Sequence, residues 1–364
     1  MKNQFTVPWS KPSIGKEELT SLQEVIKSGW LTQGKITREF ETQLSKYLDS
    51  NVISVNNGSS ALICALLAHG LKPGDKVIVP NFTFFATYSI PKMLGADVIL
   101  VDVDEFTLNI TPESVEKIVK TQDVKMVIVV DVAGLPVDID AFTELSRRYN
   151  FTLIEDAAEA LGSEYKNKKL GSFEHTTIFS FHIAKVITTV EGGCITTKDK
   201  DFAKKLMAIK DIGRTGQGYK HDYLGSNFRI TDIQSTIGIQ QIKKIDNILK
   251  NKQKIASRYK NEIKVLDFQE IPKYATLHSY MLFFAIAQSE KLKNHYVKKL
   301  RNNGIDARLA WTPINQQPCF PELNQINLKN SDDISKKCFT IPIFNTIKDE
   351  EITKVIDIIN KNNI

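Results

Sequence analysis

A lysine within an apolar stretch is the residue of this sequence best suited to covalent chemistry. Lys185 ends the segment FSFHIAK (residues 179–185) and is followed by a Gly192-Gly193 turn. Most lysines are solvent-exposed, but apolar neighbours between two predicted strands indicate that this one is shielded from water. Desolvation favours the neutral amine, which is the form that condenses with an aldehyde or ketone. Lys185 is therefore predicted to form an imine.

A group of carboxylates follows another apolar run. The sequence Glu155-Asp156-Ala157-Ala158-Glu159 stands where a predicted strand ends. Side chains at the carboxyl ends of parallel strands point into the crevice where α/β proteins bind ligands. The two alanines leave space for a flat ring beside the carboxylates. Taken alone, the segment is explained equally well as a polar strand exit.

A short polar turn has the residue types of a phosphate site. Asn57, Gly58, Ser59 and Ser60 come directly after a predicted strand and open a helix. Free N–H groups at a helix start, a glycine that permits close approach and a hydroxyl beside it suit a phosphate monoester. The competing interpretation is a simple helix cap supplied by Ser59 or Ser60.

An aromatic segment, NFTFFA (residues 81–86), follows a further predicted strand. The ring of Phe84 is placed to stack on a planar ligand, although a phenylalanine at such a position is often part of the core. A phosphate turn, a stacking ring, a carboxylate and a lysine, each at a strand end, together match the needs of pyridoxal 5'-phosphate (PLP). This cofactor requires an anchored phosphate, an acid that keeps its pyridine nitrogen protonated and a lysine imine. The sequence therefore predicts PLP as the cofactor.

The elements that position these residues are short β-branched runs separated by helical patterns. Several runs are almost entirely apolar, as expected of strands covered on both faces of a parallel sheet. Helical periodicity between them, for example in residues 60–69 and 140–148, implies right-handed crossovers. We therefore predict an α/β fold with a mostly parallel seven-stranded sheet. The predicted strands are residues 52–55, 76–79, 97–101, 126–131, 152–155, 177–181 and 194–197.

The pattern changes after residue 235, where helical periodicity becomes dominant. The predicted elements here are a helix (237–266), a strand (280–287) and two further helices (290–303 and 349–360). They indicate a smaller C-terminal α+β domain. We place a large cofactor-binding domain, which includes an N-terminal arm, at residues 1–245 and the small domain at residues 246–364.

Composition limits the class of protein. Apolar residues make up 42% and charged residues 25% of the 364 residues, as in soluble globular proteins. No apolar run approaches the roughly 20 residues of a membrane span, and the N-terminus lacks the apolar core of a signal peptide, so we expect a cytoplasmic protein. The net charge of +6 is not concentrated in a basic, aromatic-rich block, which argues against nucleic-acid binding. The cysteines and histidines lack ligand spacing, so neither a metal site nor a disulfide is expected.

These motifs resemble the DegT/DnrJ/StrS family of sugar aminotransferases, which are fold-type I PLP enzymes. The resemblance extends over nearly the whole chain, and the stretch FSFHIAKVITTVEGG (residues 179–193) is its most specific part. Together with EDAAEALGS (residues 155–163), it is most similar to the branch of the GDP-perosamine synthases. The other matching segments are residues 28–34, 57–61, 80–86, 131–138, 225–234 and 304–318.

The resemblance implies a role for each matching residue. Lys185 would hold PLP as a Schiff base and move protons. Asp156 would bind the pyridinium nitrogen, and Glu159 would lie near the oxygen on the cofactor ring. Phe84 would stack on that ring. The residues that would hold the phosphate are Gly58, Ser59 and Ser180.

The resemblance also implies a homodimer, because the active sites of this family are built at a subunit interface. Asn227 and Arg229 would reach the phosphate bound by the neighbouring subunit. The residues that would line the substrate channel are Trp30, Thr32, His182, Tyr280 and Arg308.

The implied reaction transfers an amino group from an amino acid, L-glutamate, to a nucleotide-linked keto sugar for surface polysaccharide or glycan biosynthesis. Relatives with histidine in place of Lys185 remove a hydroxyl group instead, so the lysine favours transamination. Three alternatives stay open: amination of a smaller phosphorylated keto compound, a PLP-dependent sugar dehydratase, and a regulatory homologue without turnover. Two residues depart from the family. Val190 replaces a glycine of the TTGEGG turn, and Asn315 replaces the histidine of the PLHxQP segment, which puts the substrate in question.

Overall fold

Helices alternate with strands from Asn51 to Asp156, and five α-helices and five short strands follow residue 210 in the described part of the chain. The computed structural model describes residues 5–216 and 218–361. Within those residues, no helix is both long enough and apolar enough to cross a membrane. The helices are α1 (Lys16–Ser28), α2 (Lys35–Leu48), α3 (Gly58–Ala68), α4 (Ala86–Met93), α5 (Pro112–Val119), α6 (Ile139–Tyr149), α7 (Lys200–Lys210), α8 (Asp232–Ile242), α9 (Ile245–Glu262), α10 (Glu290–Asn302), α11 (Lys329–Lys337) and α12 (Asp349–Asn360).

The strands form one large and two small sheets. The large sheet has the order β1-β9-β8-β5-β4-β2-β3, and the small ones have the orders β10-β12-β14-β13 and β11-β6-β7. The strands are β1 (Asn51–Val55), β2 (Lys76–Pro80), β3 (Asp97–Val101), β4 (Met126–Val130), β5 (Thr152–Asp156), β6 (Glu164–Tyr165), β7 (Lys168–Lys169), β8 (Thr176–Ser180), β9 (Gly193–Thr197), β10 (Asp267–Phe268), β11 (Ala275–Leu277), β12 (Phe284–Ile286), β13 (Arg308–Leu309) and β14 (Cys338–Thr340).

Six strands of the large sheet run in the same direction. Strand β2 is parallel to β3 and β4, β4 is parallel to β5, and β5 is parallel to β8. Only β9 is reversed: it is antiparallel to both of its neighbours, β1 and β8, so those two again share one direction. The mostly parallel seven-stranded sheet is therefore confirmed, and each of its strands lies within one residue of its predicted bounds.

Apolar side chains fill both faces of this sheet. In β4, Val127 packs in the cluster that contains Phe40 and Phe179, whereas Ile128 packs in the opposite cluster with Leu62. Successive side chains of a strand point to opposite faces, so strands buried on both sides are mostly apolar. The polar side chains predicted for the site stand where these strands end.

A separate core holds the C-terminal elements together. It includes Tyr259 of α9, Phe339 of β14 and Ile356 of α12. The N-terminal residues join it, because the Val7 N–H donates to the Gly304 carbonyl (3.0 Å) and the Val7 carbonyl accepts from the Asp306 N–H (2.9 Å). The N-terminal arm thus lies against the C-terminal part of the chain.

The single helix predicted at residues 237–266 is interrupted, so this prediction is wrong. Residues 237–266 belong to two helices, α8 and α9, which are separated at Lys243 and Lys244. Helix α8 packs on α1 and α2, whereas α9 contributes to the C-terminal core. The Lys244 ammonium pairs with Glu18 of α1 at 2.8 Å and fixes the turn between them. The chain bends here because its two halves pack against different neighbours.

One predicted strand is too long. Of residues 280–287, only Phe284–Ile286 forms a strand. Tyr280 adopts a left-handed backbone (φ 48°), and the Met281 N–H donates to the Ala133 carbonyl of another segment (2.9 Å). The apolar residues of this run are mostly buried, as expected, but the first part of the run is a turn that crosses to the large sheet. The predicted helix at Asp349–Asn360 is confirmed.

Candidate active site

Four of the predicted site segments meet at one edge of the large sheet. Parallel strands place their carboxyl ends on the same side, and β1, β2, β5 and β8 all run in one direction. Gly58 and Ser59 follow β1, and Phe84 follows β2. Asp156 and Ser180 are the last residues of β5 and β8. The fold therefore gathers residues that lie more than 120 positions apart, from Gly58 to Ser180, into one crevice.

The turn after β1 forms a cradle with free donors. The Asn57 side chain caps α3 by accepting from the Ser60 N–H at 2.8 Å, so the cap comes from Asn57 rather than from Ser59 or Ser60. The first N–H groups of a helix have no partner within the helix, and those of Gly58 and Ser59 thus remain for a ligand. A Cβ on Gly58 would lie 2.9 Å from the Cβ of Ser180, so only glycine lets the two chains approach this closely. The cradle suits a phosphate group.

Asp156 is buried, with 7% of its surface exposed. The Thr87 hydroxyl donates to its Oδ2 at 2.8 Å, and the Ala158 N–H donates to its Oδ1 at 3.2 Å. Burial raises the pKa of Asp156, while these two hydrogen bonds and the charge of Lys185 oppose the increase. A cationic ring nitrogen beside this carboxyl would stabilise its ionised form, as the pyridinium of PLP requires.

Lys185 faces Glu159. The lysine Nζ lies 3.5 Å from Glu159 Oε1, and only 15% of the lysine side chain is exposed. The other oxygen of Glu159 accepts from the Ala133 N–H at 2.9 Å. Ala133 has φ 62°, so a left-handed turn aims this N–H at the carboxylate. An amine held beside an anion at the edge of the sheet can take up and release a proton in a fixed place.

Phe84 presents an aromatic face to this edge. Its side chain is 60% exposed, whereas its neighbours Phe82 and Thr83 are buried. A largely exposed ring at the same edge of the sheet as Asp156 is suited to stack on a flat heterocycle. The core alternative for Phe84 does not agree with this exposure.

The predicted substrate residues are scattered. Trp30 is 61% exposed, and Thr32 is also exposed. His182 is half-exposed and lies 3.8 Å from Glu191. Arg308 stacks over the Trp9 ring (4.4 Å) while it pairs with Asp306. These four side chains reach the surface and are open to a ligand.

Tyr280 was predicted to line a substrate channel, but the structure places its side chain elsewhere. It is buried in the C-terminal core and stacks on His278, with ring centroids 4.0 Å apart. Its carbonyl accepts a hydrogen bond from the Lys252 ammonium (2.9 Å). The structure gives this ring a packing contact rather than a place beside Lys185.

Asn227 and Arg229 lie on a surface loop. Asn227 is exposed. Arg229 is partly buried and pairs with Asp211 at 2.5 Å, which also binds Arg214 at 2.8 Å. The exposed side chain of Asn227 accepts only from the Arg229 N–H (3.4 Å) among the described residues and can contact another molecule, whereas the guanidinium of Arg229 is held within its own loop by Asp211.

Sequence reasoning missed three residues that support the site, two threonines and an alanine. Thr87 holds Asp156, and Thr83 contacts Thr87 through their hydroxyls (3.1 Å). The i, i+4 spacing of these threonines directly after a strand was the available signal. Ala133 gave no signal, because its contribution is a backbone N–H in an unusual conformation.

Asn315, the departure noted in the sequence, is an internal contact. It is buried, its side-chain oxygen accepts from the Asn81 amide (3.0 Å), and its N–H donates to the Asn81 side chain (2.9 Å). Asn81 directly follows β2, three residues before Phe84. The substitution therefore concerns how the segment around residue 315 is anchored to the large sheet, not a group presented to a substrate.

The crevice fits PLP. Four features would provide the contacts that this cofactor needs: the cradle that only Gly58 permits, the buried carboxyl of Asp156, the exposed ring of Phe84 and the shielded amine of Lys185. Together with the mostly parallel sheet and its smaller C-terminal part, they define a fold-type I PLP-dependent enzyme.

The chain belongs to the DegT/DnrJ/EryC1/StrS aminotransferase family, whose profile matches residues 12–360. It is 30% identical to the uncharacterized protein MJ1066 of Methanocaldococcus jannaschii, over 99% of this chain and 98% of that protein. Among solved structures, it is similar to Helicobacter pylori PseC, an aminotransferase involved in the biosynthesis of pseudoaminic acid (26% identity, 98% of each chain, TM-score 0.90). It is also similar to the PLP form of the putative sugar aminotransferase Spr1654 of Streptococcus pneumoniae (25% identity, 96% of this chain and 97% of that one, TM-score 0.90). The protein is thus a PLP-dependent aminotransferase.

Proposed function

We propose that the enzyme transfers an amino group from L-glutamate to the keto group of a nucleotide-linked sugar, and that it does so as a homodimer in the biosynthesis of a surface glycan. The observation that carries the proposal is the Lys185–Glu159 pair beside Asp156, because a shielded amine is what transamination needs and a regulatory homologue does not. The acceptor class is supported by two structural relatives, one named as a sugar aminotransferase and one as acting in pseudoaminic acid biosynthesis.

The protein's own residues have separable tasks in this reaction. PLP, when bound, supplies an electron sink for the bond that breaks at the amino-acid carbon. The Lys185 amine would take up a proton from that carbon and hold it for return, and Glu159 holds the amine in place at 3.5 Å. Asp156 would keep the ring nitrogen protonated, and Thr87 fixes the direction of its carboxylate. Ser59, Ser180 and the first N–H groups of α3 would bind the phosphate.

A nucleotide-linked acceptor agrees with the exposed groups outside the crevice. Arg308 is a half-exposed cation whose guanidinium lies over the Trp9 ring and pairs with Asp306. A guanidinium held in this way binds phosphate oxygens through a planar set of donors. Trp30 offers an exposed aromatic face on which a nucleobase or sugar can stack. We assign both to the acceptor.

The homodimer is supported by apolar surface near the loop that carries Asn227. Leu224, Tyr223 and Ile212 are 82%, 39% and 40% exposed. Large exposed apolar side chains in one area mark a contact surface. A two-fold interface on this loop would bring Asn227 of each subunit toward the other.

A panel of acceptors tests the proposal. The protein is converted to its pyridoxamine phosphate form and mixed with nucleotide-linked keto sugars, phosphorylated keto sugars and small phosphorylated ketones. Recovery of the PLP absorption with a nucleotide-linked sugar alone supports the proposal. Recovery only with small phosphorylated ketones would replace the acceptor class, and loss of a hydroxyl from the sugar without amine transfer would replace the reaction.

A further inference from the structure

Two carboxyl groups lie side by side beneath the candidate active site. Glu155 is in β5 and Asp131 directly follows β4, the neighbouring parallel strand, in which Val129 is opposite Glu155. Both acidic residues are completely buried. They lie next to Asp156, whose carbonyl accepts from the Asp131 N–H at 3.2 Å. None of the roles proposed above uses either side chain.

Each carboxyl group has one oxygen bound by ordinary donors. Glu155 Oε2 accepts from the Thr177 hydroxyl (2.7 Å) and lies 3.2 Å from His175 Nε2. Asp131 Oδ1 accepts from the Val137 N–H (3.0 Å). The remaining oxygens, Asp131 Oδ2 and Glu155 Oε1, receive no N–H or O–H from the residues that the structure describes. Asp131 lies two residues beyond Val129, the partner of Glu155, and so on the same face of the sheet. A hydrogen bond between the two carboxyl groups would satisfy both remaining oxygens.

Such a bond requires a proton. Two ionised carboxylates repel one another, and burying one unpaired charge is already costly. One proton between Asp131 and Glu155 removes the repulsion and satisfies both remaining oxygens. The one negative charge that then remains on the pair is tolerated, because the ring of His175 lies against Glu155.

Asp131 also shapes the turn that reaches the lysine. Its carbonyl accepts from the Gly134 N–H (2.9 Å), and its side chain accepts from the Val137 N–H. The turn between these contacts contains Ala133, whose N–H holds Glu159. Glu159 in turn pairs with Lys185. A continuous set of contacts therefore connects the carboxyl pair to the reactive amine.

We propose that Asp131 is a positioning residue: its carboxyl stays protonated, donates to Glu155, and so holds the turn that places Glu159 against Lys185. The inference rests on the proposed role of Lys185, but the proton itself is a property of the protein without cofactor. Burial and the negative charges of Glu155 and Asp156 raise the pKa of Asp131, while the Val137 N–H lowers it. Tyr274 is a further titratable group near enough to feel the charge of Asp131.

The test compares wild type with Asp131→Asn, whose amide can donate to Glu155 at every pH. Because the folded pKa is raised, the folded protein keeps its proton above the ordinary pKa of aspartate, about 4, where the unfolded chain has lost it. Raising the pH from there toward the folded pKa therefore favours the unfolded chain. Relative to the variant, the wild-type folding constant should fall by up to about tenfold per pH unit. Urea unfolding of the cofactor-free proteins between pH 5 and 9 measures this difference.

Two further variants separate the proton from the role of the turn. Asp97→Asn, at an exposed aspartate of β3, is the control and should run parallel to wild type. Asp131→Ala removes the contact with Glu155 and should reduce kcat severalfold. Asp131→Asn should keep kcat, and we expect its kcat to fall less than that of wild type as the pH becomes alkaline. Wild-type and Asp131→Asn stability curves that run parallel would overturn the proposal.

A measurement on wild type alone covers the case in which the variants do not fold. Infrared spectra of the cofactor-free protein at neutral pH should contain the carbonyl band of a buried protonated carboxyl, which disappears at high pH. Absence of that band would contradict the shared proton, whatever the outcome of the acceptor panel. If the acceptor panel contradicts the proposed function but the band is present, Asp131 is still protonated, and only its proposed role in placing Glu159 against Lys185 is rejected.

Discussion

Lys185 Nζ lies 3.5 Å from Glu159 Oε1, and the second oxygen of the same carboxylate is held by the N–H of Ala133. A backbone group therefore holds Glu159 independently of its contact with Lys185. An ion pair with one rigid partner loses less conformational entropy than a pair of two free side chains. The amine is consequently confined to the edge of the sheet at which Asp156 and Ser180 also end.

Lys185 should be the residue that binds PLP covalently. Lys252 lines the same small cavity and is the natural competitor, because burial lowers its pKa to about 7. Reduction of the loaded enzyme with borohydride followed by peptide mapping should place the label on Lys185. Lys185→Ala should abolish transamination, and a label on Lys252 would refute the assignment.

Asp156→Asn should slow the reaction with glutamate. The change keeps the shape of the side chain and removes the charge that favours a protonated ring nitrogen. Loss of one charge-assisted hydrogen bond is worth about 1.5–3 kcal/mol, or roughly one to two decades in rate. Single-turnover kinetics with glutamate measure the effect.

Asp102→Asn is the matched control for Asp156→Asn, since Asp102 also follows a strand of the sheet but caps α11 through the Ser331 N–H (2.8 Å). Its rate should stay near that of wild type. An Asp156→Asn rate equal to that of the control would mean that another acid serves the ring nitrogen.

Asn227→Ala should weaken PLP retention if Asn227 completes the site of a neighbouring subunit. We expect wild type to be at least dimeric in analytical ultracentrifugation and to lose PLP slowly during dialysis. The variant should lose it faster while keeping the dimer. Asn302→Ala, at an exposed asparagine of α10, is the control. A fully active monomer would contradict the shared site.

Val190→Gly should stabilise the fold. Val190 has φ 72° in the turn where relatives carry glycine, and a β-branched residue is strained in this conformation. Left-handed backbone costs about 1–2 kcal/mol for residues other than glycine, whereas the added freedom of glycine in the unfolded chain costs about 0.4–1 kcal/mol. Urea unfolding should therefore show a gain on the order of 0.5–1 kcal/mol from these two terms. Val190→Ala keeps the Cβ and should gain less, and a loss of stability in Val190→Gly would show that the valine is not strained.

Lys252 should make the free energy of unfolding depend on pH in the alkaline range. Its ammonium is buried and donates to the carbonyls of Tyr280 (2.9 Å) and Ile343 (3.1 Å). The folded lysine loses its proton near pH 7, but the unfolded chain keeps it up to about pH 10.4, so raising the pH between these values favours folding. Relative to Lys252→Met, wild type should gain up to about tenfold in folding constant per pH unit. Exposed Lys254→Met is the control, and equal slopes would contradict the lowered pKa.

The large sheet was predictable because its strands are short runs rich in apolar and β-branched residues, separated for the most part by helical patterns. The bend between α8 and α9 was not, because Lys243 and Lys244 are as compatible with helix as their neighbours. What separates the helices is the packing of α8 on α1 and α2 and the pairing of Lys244 with Glu18, which are contacts over long sequence distances.

The same distinction applies to the site. Lys185, Asp156 and Gly58 stand in short motifs whose residue types indicate a chemistry, so the sequence was sufficient to predict roles for them. Thr87 and Ala133 act through geometry: one hydroxyl on the first turn of α4 and one N–H in a left-handed turn. Tyr280 was assigned to a substrate channel on the family resemblance alone, but the packing of the C-terminal core buries its ring.

The reciprocal bonds between Asn81 and Asn315 join positions 234 residues apart. Neither asparagine can change alone without leaving a buried amide unsatisfied, so the two positions should covary within the family. A chimera that receives its C-terminal third from a relative with histidine at the second position would inherit a mismatched joint. Exchange of that part between enzymes, as a way to transfer acceptor preference, should therefore succeed only when residue 81 is exchanged with it.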